Sequence, residues 1–186
     1  MKQMSFKQYR AMDLVFFTLI LAVSQLIITF AASRWFADQL YVVSPVAAVT
    51  AIVMMRWDLF ALIPAAAGGV VLSLISGGSW KHILIYSVGN LLSLAALALL
   101  KRLGKQEVQG STKLALFFAA AVQVLMLIGR MLTALVAGYG FFESLAFMTT
   151  DILSIVFTLV LVWIARRVDG LFEDQKHYLR RIQNEE

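Results

Sequence analysis

Arg130 and Asp151 carry full charges of opposite sign inside apolar sequence, and their spacing lets them act on each other. They flank the reversal Gly138-Tyr139-Gly140, whose glycines permit a tight turn between two helices. Arg130 lies nine residues before Tyr139 and Asp151 twelve after it. Their depths therefore differ by roughly 4.5 Å of helix rise, a gap an arginine side chain spans. A lone charge at mid-membrane costs roughly 3 kcal/mol on insertion scales, so each needs a partner, water or a ligand. Two readings stay open for the pair: structural glue, or part of a ligand site.

Other polar side chains gather at the same end. Lys81, His82, Tyr86 and Asn90 share one helical face with Gly89 and Ser93. Gln123 precedes Arg130 by seven residues, two turns along one face, and Thr149, Thr150 and Ser154 surround Asp151. Glu143 tops the last span, and the stretch "SRWFADQLYVVSP" adds Arg34, Trp35, Phe36, Asp38 and Tyr41. Polar groups converging beneath an aromatic rim are what an oriented small-molecule pocket needs. An interfacial aromatic belt explains Trp35 and Trp80 taken singly, and each polar residue alone fits an ordinary helix–helix hydrogen bond.

Several chemistries are excluded. "RLGKQ" lacks the upstream glycine and the Ser/Thr of a phosphate loop, so no nucleotide site is encoded. The two histidines, His82 and His177, fall on opposite expected sides and make no shared metal site. Ser79 and His82 are adjacent at the outer edge, whereas an intramembrane serine protease holds its pair deep among packed helices. With no cysteine there is no disulfide, thiolate ligand or cysteine nucleophile. Neither an enzyme nor a bound cofactor is expected.

The elements that must position these groups are membrane helices. Of 186 residues 61% are hydrophobic and only 15% charged, and mean hydropathy is +0.82, far from a soluble domain. The apolar runs approach the roughly 20 residues a helix needs to cross about 30 Å of hydrocarbon, without the alternation of a membrane barrel. The expected fold is all-α: a polytopic six-helix bundle with spans near Leu14–Ala32, Val42–Met55, Leu59–Ile75, Lys81–Leu100, Leu114–Ala137 and Glu143–Ala165. Residues 1–186 form one integral membrane domain, with the bundle in 1–165 and an amphipathic tail in 166–186. The first apolar run is too long for a signal-peptide core and reads as a retained helix.

Basic residues set the topology. Of 16 Lys and Arg, 13 fall in the N-terminus, the turn after the second span, the linker "KRLGKQEVQGSTK" and the tail, whereas the opposite side has only Arg34 and Lys81. Both termini are therefore expected in the cytoplasm. The net charge of +5 follows from this placement; no basic patch interleaved with aromatics points to nucleic acid. The second span covers only about 21 Å, short for a lipid-facing helix, which predicts a tilted or sheltered segment. Trp57 and Asp58 make its link to the third span a tight hairpin. The third span carries Ala61, Ala65, Gly69 and Ser73 at four-residue spacing, a stripe that lets backbones approach closely, either within the chain or against another subunit.

The chain length, six spans, inward termini, small-residue face and polar outer ends together resemble the S-component, the substrate-binding membrane subunit of energy-coupling factor (ECF) vitamin transporters. "MRWDLFALIPAAAGGVV" and "ILIYSVGNLLSL" are the stretches most like that family. The resemblance implies a binder of a vitamin or precursor in the bacterial cytoplasmic membrane, with an outward pocket beneath the first loop. It implies docking on a transmembrane coupling subunit driven by two ATPase subunits. The family's Ala-x-x-x-Ala stripe on the first helix is represented here only by Thr18 and Ala22, Leu26 breaking the continuation, so the third-span stripe is a rival docking face. Two other classes compete: a small carrier using Asp151 as a proton or sodium site, and an assembly protein in which the charge pair is glue. In the tail, Leu171, Phe172, Tyr178, Leu179 and Ile182 recur at helical spacing among charged residues, an amphipathic pattern that needs a surface, either membrane lipid or a partner subunit.

Overall fold

The computed structural model describes residues 5–35, 42–175 and 177–179, and all regular structure among them is helical. The helices are α1 (Phe6–Trp35), α2 (Val46–Trp57), α3 (Leu62–Ile75), α4 (Trp80–Asn90), α5 (Ala96–Leu103), α6 (Lys105–Gly110), α7 (Thr112–Val136), α8 (Phe141–Thr149) and α9 (Leu153–Ala165). Short 3₁₀ turns at Asp58–Ala61 and Leu91–Ala95 join α2 to α3 and α4 to α5. Five stretches among the described residues are long and apolar enough to cross a membrane: Phe6–Trp35, Val46–Ile75, Trp80–Leu103, Thr112–Val136 and Phe141–Ala165. The chain thus has the helices of a multi-pass membrane protein.

The second of these stretches takes in both the second and the third expected spans. It is continuous in sequence, yet neither α2 nor α3 alone reaches spanning length. It is not one rod: Asp58 adopts a left-handed φ of 52°, and the chain folds back until Val46 lies against Gly68. All twelve residues of α2 are buried, enclosed by α1, α3, α7 and α9. At about 18 Å α2 is too short to face hydrocarbon across its thickness, and burial removes that requirement. Its start is displaced from Val42 to Val46 because Pro45, lacking an N–H, stands at the cap and residues 42–44 form no regular structure.

α1 begins eight residues before the expected Leu14, because Lys7, Arg10 and Asp13 end the apolar run without ending the helix. It turns Phe16, Leu19, Val23 and Ile27 outward, the surface a bilayer would cover. The linker after the fourth span is folded: Gly104, at φ 85°, starts α6, and Val108 is fully buried.

At one end of the bundle the basic segments are tied together. Asp13 accepts from Arg56 at Nε (2.8 Å) and Nη2 (2.7 Å) and from the Trp57 indole. Arg56 reaches on to the Gly170 and Leu171 carbonyls, Lys105 pairs with Asp58 and Asp174, and Tyr9 donates to Gln175 at 3.1 Å. The described part of the tail therefore lies on the bundle itself. Residues 166–173 are turns and bends, Phe172 is 2% exposed, and Leu171 packs against the core. Lys176, Arg180, Arg181 and Ile182 lie outside the described residues.

The stripe on the third span also has its place. Ala61, Ala65, Gly69 and Ser73 are all buried. A Cβ on Gly69 would come within 2.4 Å of the Tyr86 backbone, so the stripe lets α3 meet α4 and is not presented to another subunit. Thr18 and Ala22, on α1, are half-buried.

Candidate functional site

The opposite end of the bundle holds a cavity of about 480 Å³ between the end of α3, the turn after it, and the start of α4. Its polar lining is Ser73, Ser76, Ser79, His82 and Tyr86, with Val42 and Leu72 supplying apolar wall. The turn residues Gly77 and Gly78 complete the rim. A recess of this size, with hydroxyls, an imidazole and a phenol on an otherwise apolar wall, suits an oriented small molecule. None of the described lining residues carries a carboxylate, ammonium or guanidinium group.

Helix ends and close crossings place these groups. His82 Nδ1 faces the Ser79 hydroxyl at 3.0 Å and accepts from the Ser79 N–H at 3.3 Å, closing the first turn of α4. The pair acts as a helix cap. The His82 ring packs against Tyr139 and Phe147, and Phe147 also meets Tyr86 with ring centroids 5.8 Å apart. Tyr86 thus stands between an aromatic cluster, the cavity, and what lies beneath.

Beneath it is a buried polar network. The Arg130 guanidinium sits 4.8 Å from the Tyr86 ring centroid. It donates from Nε to Asn90 Oδ1 at 2.7 Å and from Nη1 to Asp151. Asn90 donates onward to the Ala65 carbonyl at 2.9 Å. Asp151 accepts from the Ser154 hydroxyl, which accepts from the Ser44 N–H at 2.8 Å. Ser44 Oγ donates to Gln25 Oε1 at 2.8 Å, and Gln25 donates to Thr29. The chain of bonds touches α1, the segment entering α2, α3, α4, α7 and the α8–α9 break. Arg130 and Asn90 are 0% exposed and Asp151 1%.

Two backbone features make this possible. α4 and α7 cross at Gly89 and Gly129, where a Cβ on Gly129 would stand 2.0 Å from the Gly89 carbonyl oxygen. That contact sets Asn90 beside Arg130. The helix following the Gly138 turn breaks at residues 150–152, and Val42 N–H donates to the Thr150 carbonyl at 2.8 Å. The irregular backbone at 42–44 thereby finds partners within the protein at Val42 and Ser44, the condition under which irregular chain persists at membrane depth.

The expected site residues therefore divide. His82 and Tyr86 line the cavity. Asn90, Arg130 and Asp151 come together, but beneath Tyr86 and sealed from the cavity. Gln123 lies deeper, accepting from Thr158 at 3.1 Å. Lys81 leans over the Tyr139 ring at 5.6 Å, outside the lining. Trp35 is 74% exposed at the end of α1. Glu143 accepts from the Gly140 N–H and caps α8. Phe36, Asp38 and Tyr41 lie outside the described residues. Ser76, Val42 and Phe147 are additions; Ser76 has only its place in the turn before "GGSWKH" as a sequence signal. Among the described residues no group of His, Asp and Glu is placed to hold a metal ion. Comparison with protein-family models, with curated proteins and with solved structures finds no match for the chain.

Proposed function

We propose that the chain is the substrate-binding membrane subunit of an ATP-driven importer of the ECF type, capturing a vitamin or vitamin precursor from outside the cell. The observation that carries this reading is the cavity of about 480 Å³ at the end of the bundle remote from the basic segments. On this reading the chain crosses the bacterial cytoplasmic membrane six times with both termini inside. The 3₁₀ turn and α3 together cover about 29 Å. α2, about 18 Å long, makes its crossing with help from residues 42–45, which lead into it.

Ser76, His82 and Tyr86 contact the ligand directly. Asn90, Arg130 and Asp151 act through Tyr86, fixing the floor on which it rests. Asp151 is an unpromising coupling-ion site for a secondary carrier, because Arg130 and Ser154 already occupy its carboxylate. The span of the polar network favours one element of the assembly-protein reading, that the Arg130–Asp151 pair is structural, without accounting for the cavity.

With the α3 stripe enclosed, the outward face of α1 beyond Ala22, including the exposed Val23 and Ile27, is the surface of α1 we assign to the coupling subunit. Energy must then come from that subunit and its two ATPases, since no phosphate loop is present in the sequence. Expressed alone, the protein should bind substrate without accumulating it; coexpressed with a cognate coupling module it should accumulate it with ATP required. Concentrative uptake by vesicles holding this protein alone, driven by a proton or sodium gradient, would replace this reading with the carrier.

A further inference from the structure

A second recess, of about 460 Å³, lies on the outer surface at the basic end of the bundle. Its walls are Ala11, Leu14, Val15 and Leu19 of α1, facing Phe60 and Ile63 across the groove. Thr18 also borders it, but its hydroxyl donates to the Leu14 carbonyl at 2.7 Å and asks nothing of an occupant. Val15, Leu19 and Ile63 remain exposed along its edges. Lys7 and Arg10 stand at its mouth. From Lys7 to Leu19 the groove follows α1 for about 18 Å, a little over half the roughly 30 Å of bilayer hydrocarbon.

The charge at the mouth is uncompensated within the described protein. The neighbouring acids are committed elsewhere, Asp13 to Arg56 and Trp57 and Asp58 to Lys105. Among the described residues neither Lys7 nor Arg10 enters an ion pair. Arg10 is stacked over the Phe60 ring at 3.8 Å, which fixes the guanidinium plane and leaves its in-plane N–H groups to face an anion.

We propose that this groove is a binding site for one anionic phospholipid, an acyl chain lying between α1 and Phe60–Ile63 and the phosphate held by Lys7 and Arg10. An apolar trough open to the bilayer and closed at the headgroup level by two basic residues matches both halves of such a molecule. The site is separate from the cavity at the other end, so its occupancy does not depend on the proposed transport role.

The test is native mass spectrometry of the full chain released from nanodiscs containing phosphatidylglycerol and phosphatidylcholine with identical acyl chains. The wild type should retain one phosphatidylglycerol with about 30-fold preference, the scale expected of two basic residues at a membrane surface. The double substitution Lys7→Gln and Arg10→Gln should remove the preference, and Ala11→Phe, which fills the trough, should remove the retained lipid. All three proteins should elute alike on size exclusion, and binding by the double variant is read only as a ratio of two lipids, which loss of protein does not change. Equal retention of both headgroups by the wild type, or undiminished preference in the double variant, overturns the proposal. Lipid retained undiminished by Ala11→Phe would show that the trough does not hold the acyl chain, and overturns the proposal equally.

Discussion

Replacing Gly129 by alanine tests the arrangement on which the buried network depends. The new Cβ would stand 2.0 Å from the Gly89 carbonyl oxygen and 2.7 Å from Leu92 Cβ, against a comfortable separation of roughly 3.5 Å. Since the first obstacle is backbone, α4 and α7 must part by about 1 to 1.5 Å. The 2.7 Å bond from Arg130 to Asn90 crosses that same gap and would stretch beyond hydrogen-bonding reach. Overpacking costs about 1–3 kcal/mol, and losing a hydrogen bond to a buried charge about 1.5–3 kcal/mol, so the expected loss is about 3–6 kcal/mol. Gly89→Ala, whose Cβ would meet the Arg130 backbone at 2.7 Å, should cost less. Gly110→Ala, with open space around it, should stay within about 1 kcal/mol of wild type. Reversible unfolding in mixed micelles gives the three values. A Gly129→Ala protein as stable as Gly110→Ala would refute the close crossing and, with it, the placement of Arg130.

Other consequences are more direct. In a double-mutant cycle, Arg130→Ala and Asp151→Ala should each cost about 3–5 kcal/mol while the double change costs clearly less than their sum, because either single change strands a buried charge; additive losses in the same unfolding assay would show that the two do not interact. Phe172→Ala should cost about 3–5 kcal/mol, since the ring is 2% exposed against the bundle, whereas a tail resting only on lipid would lose almost nothing. In a chain without cysteines, Ser76→Cys should react with an impermeant maleimide added to intact cells and Gln106→Cys should not; the reverse pattern would invert the topology.

What the sequence reveals, and what it hides, follows from geometry. The depths of Arg130 and Asp151 follow from counting residues on either side of Gly138–Gly140, and a helical rise is regular enough for that count to bring them together. The sheltering of α2 follows from its length, and the hairpin at Asp58 from the two residues between apolar runs. The Gly89–Gly129 crossing needs the relative rotation of two helices, and a phase error of one residue moves a side chain by about 100°. Ser44 and Gln25 join Asp151 only because the chain is irregular at 42–44 and the helix breaks at 150–152, irregularities that hydropathy does not register. The same limit separates His82 and Tyr86, which reach the cavity, from Lys81, one residue away and turned toward Tyr139. The α3 stripe is ambiguous in sequence because small residues serve an internal crossing and a subunit interface by the same close approach.

The central claim is that the cavity beneath Ser76 holds a small molecule. Native mass spectrometry of the protein purified from cells grown in rich medium, beside a Ser76→Trp variant that fills the cavity, tests it most directly. The account predicts one bound mass of vitamin size on the wild type and none on the variant, with both equally folded. An unliganded wild type that also takes up no member of a vitamin panel, or a bound mass that survives in Ser76→Trp, would contradict it.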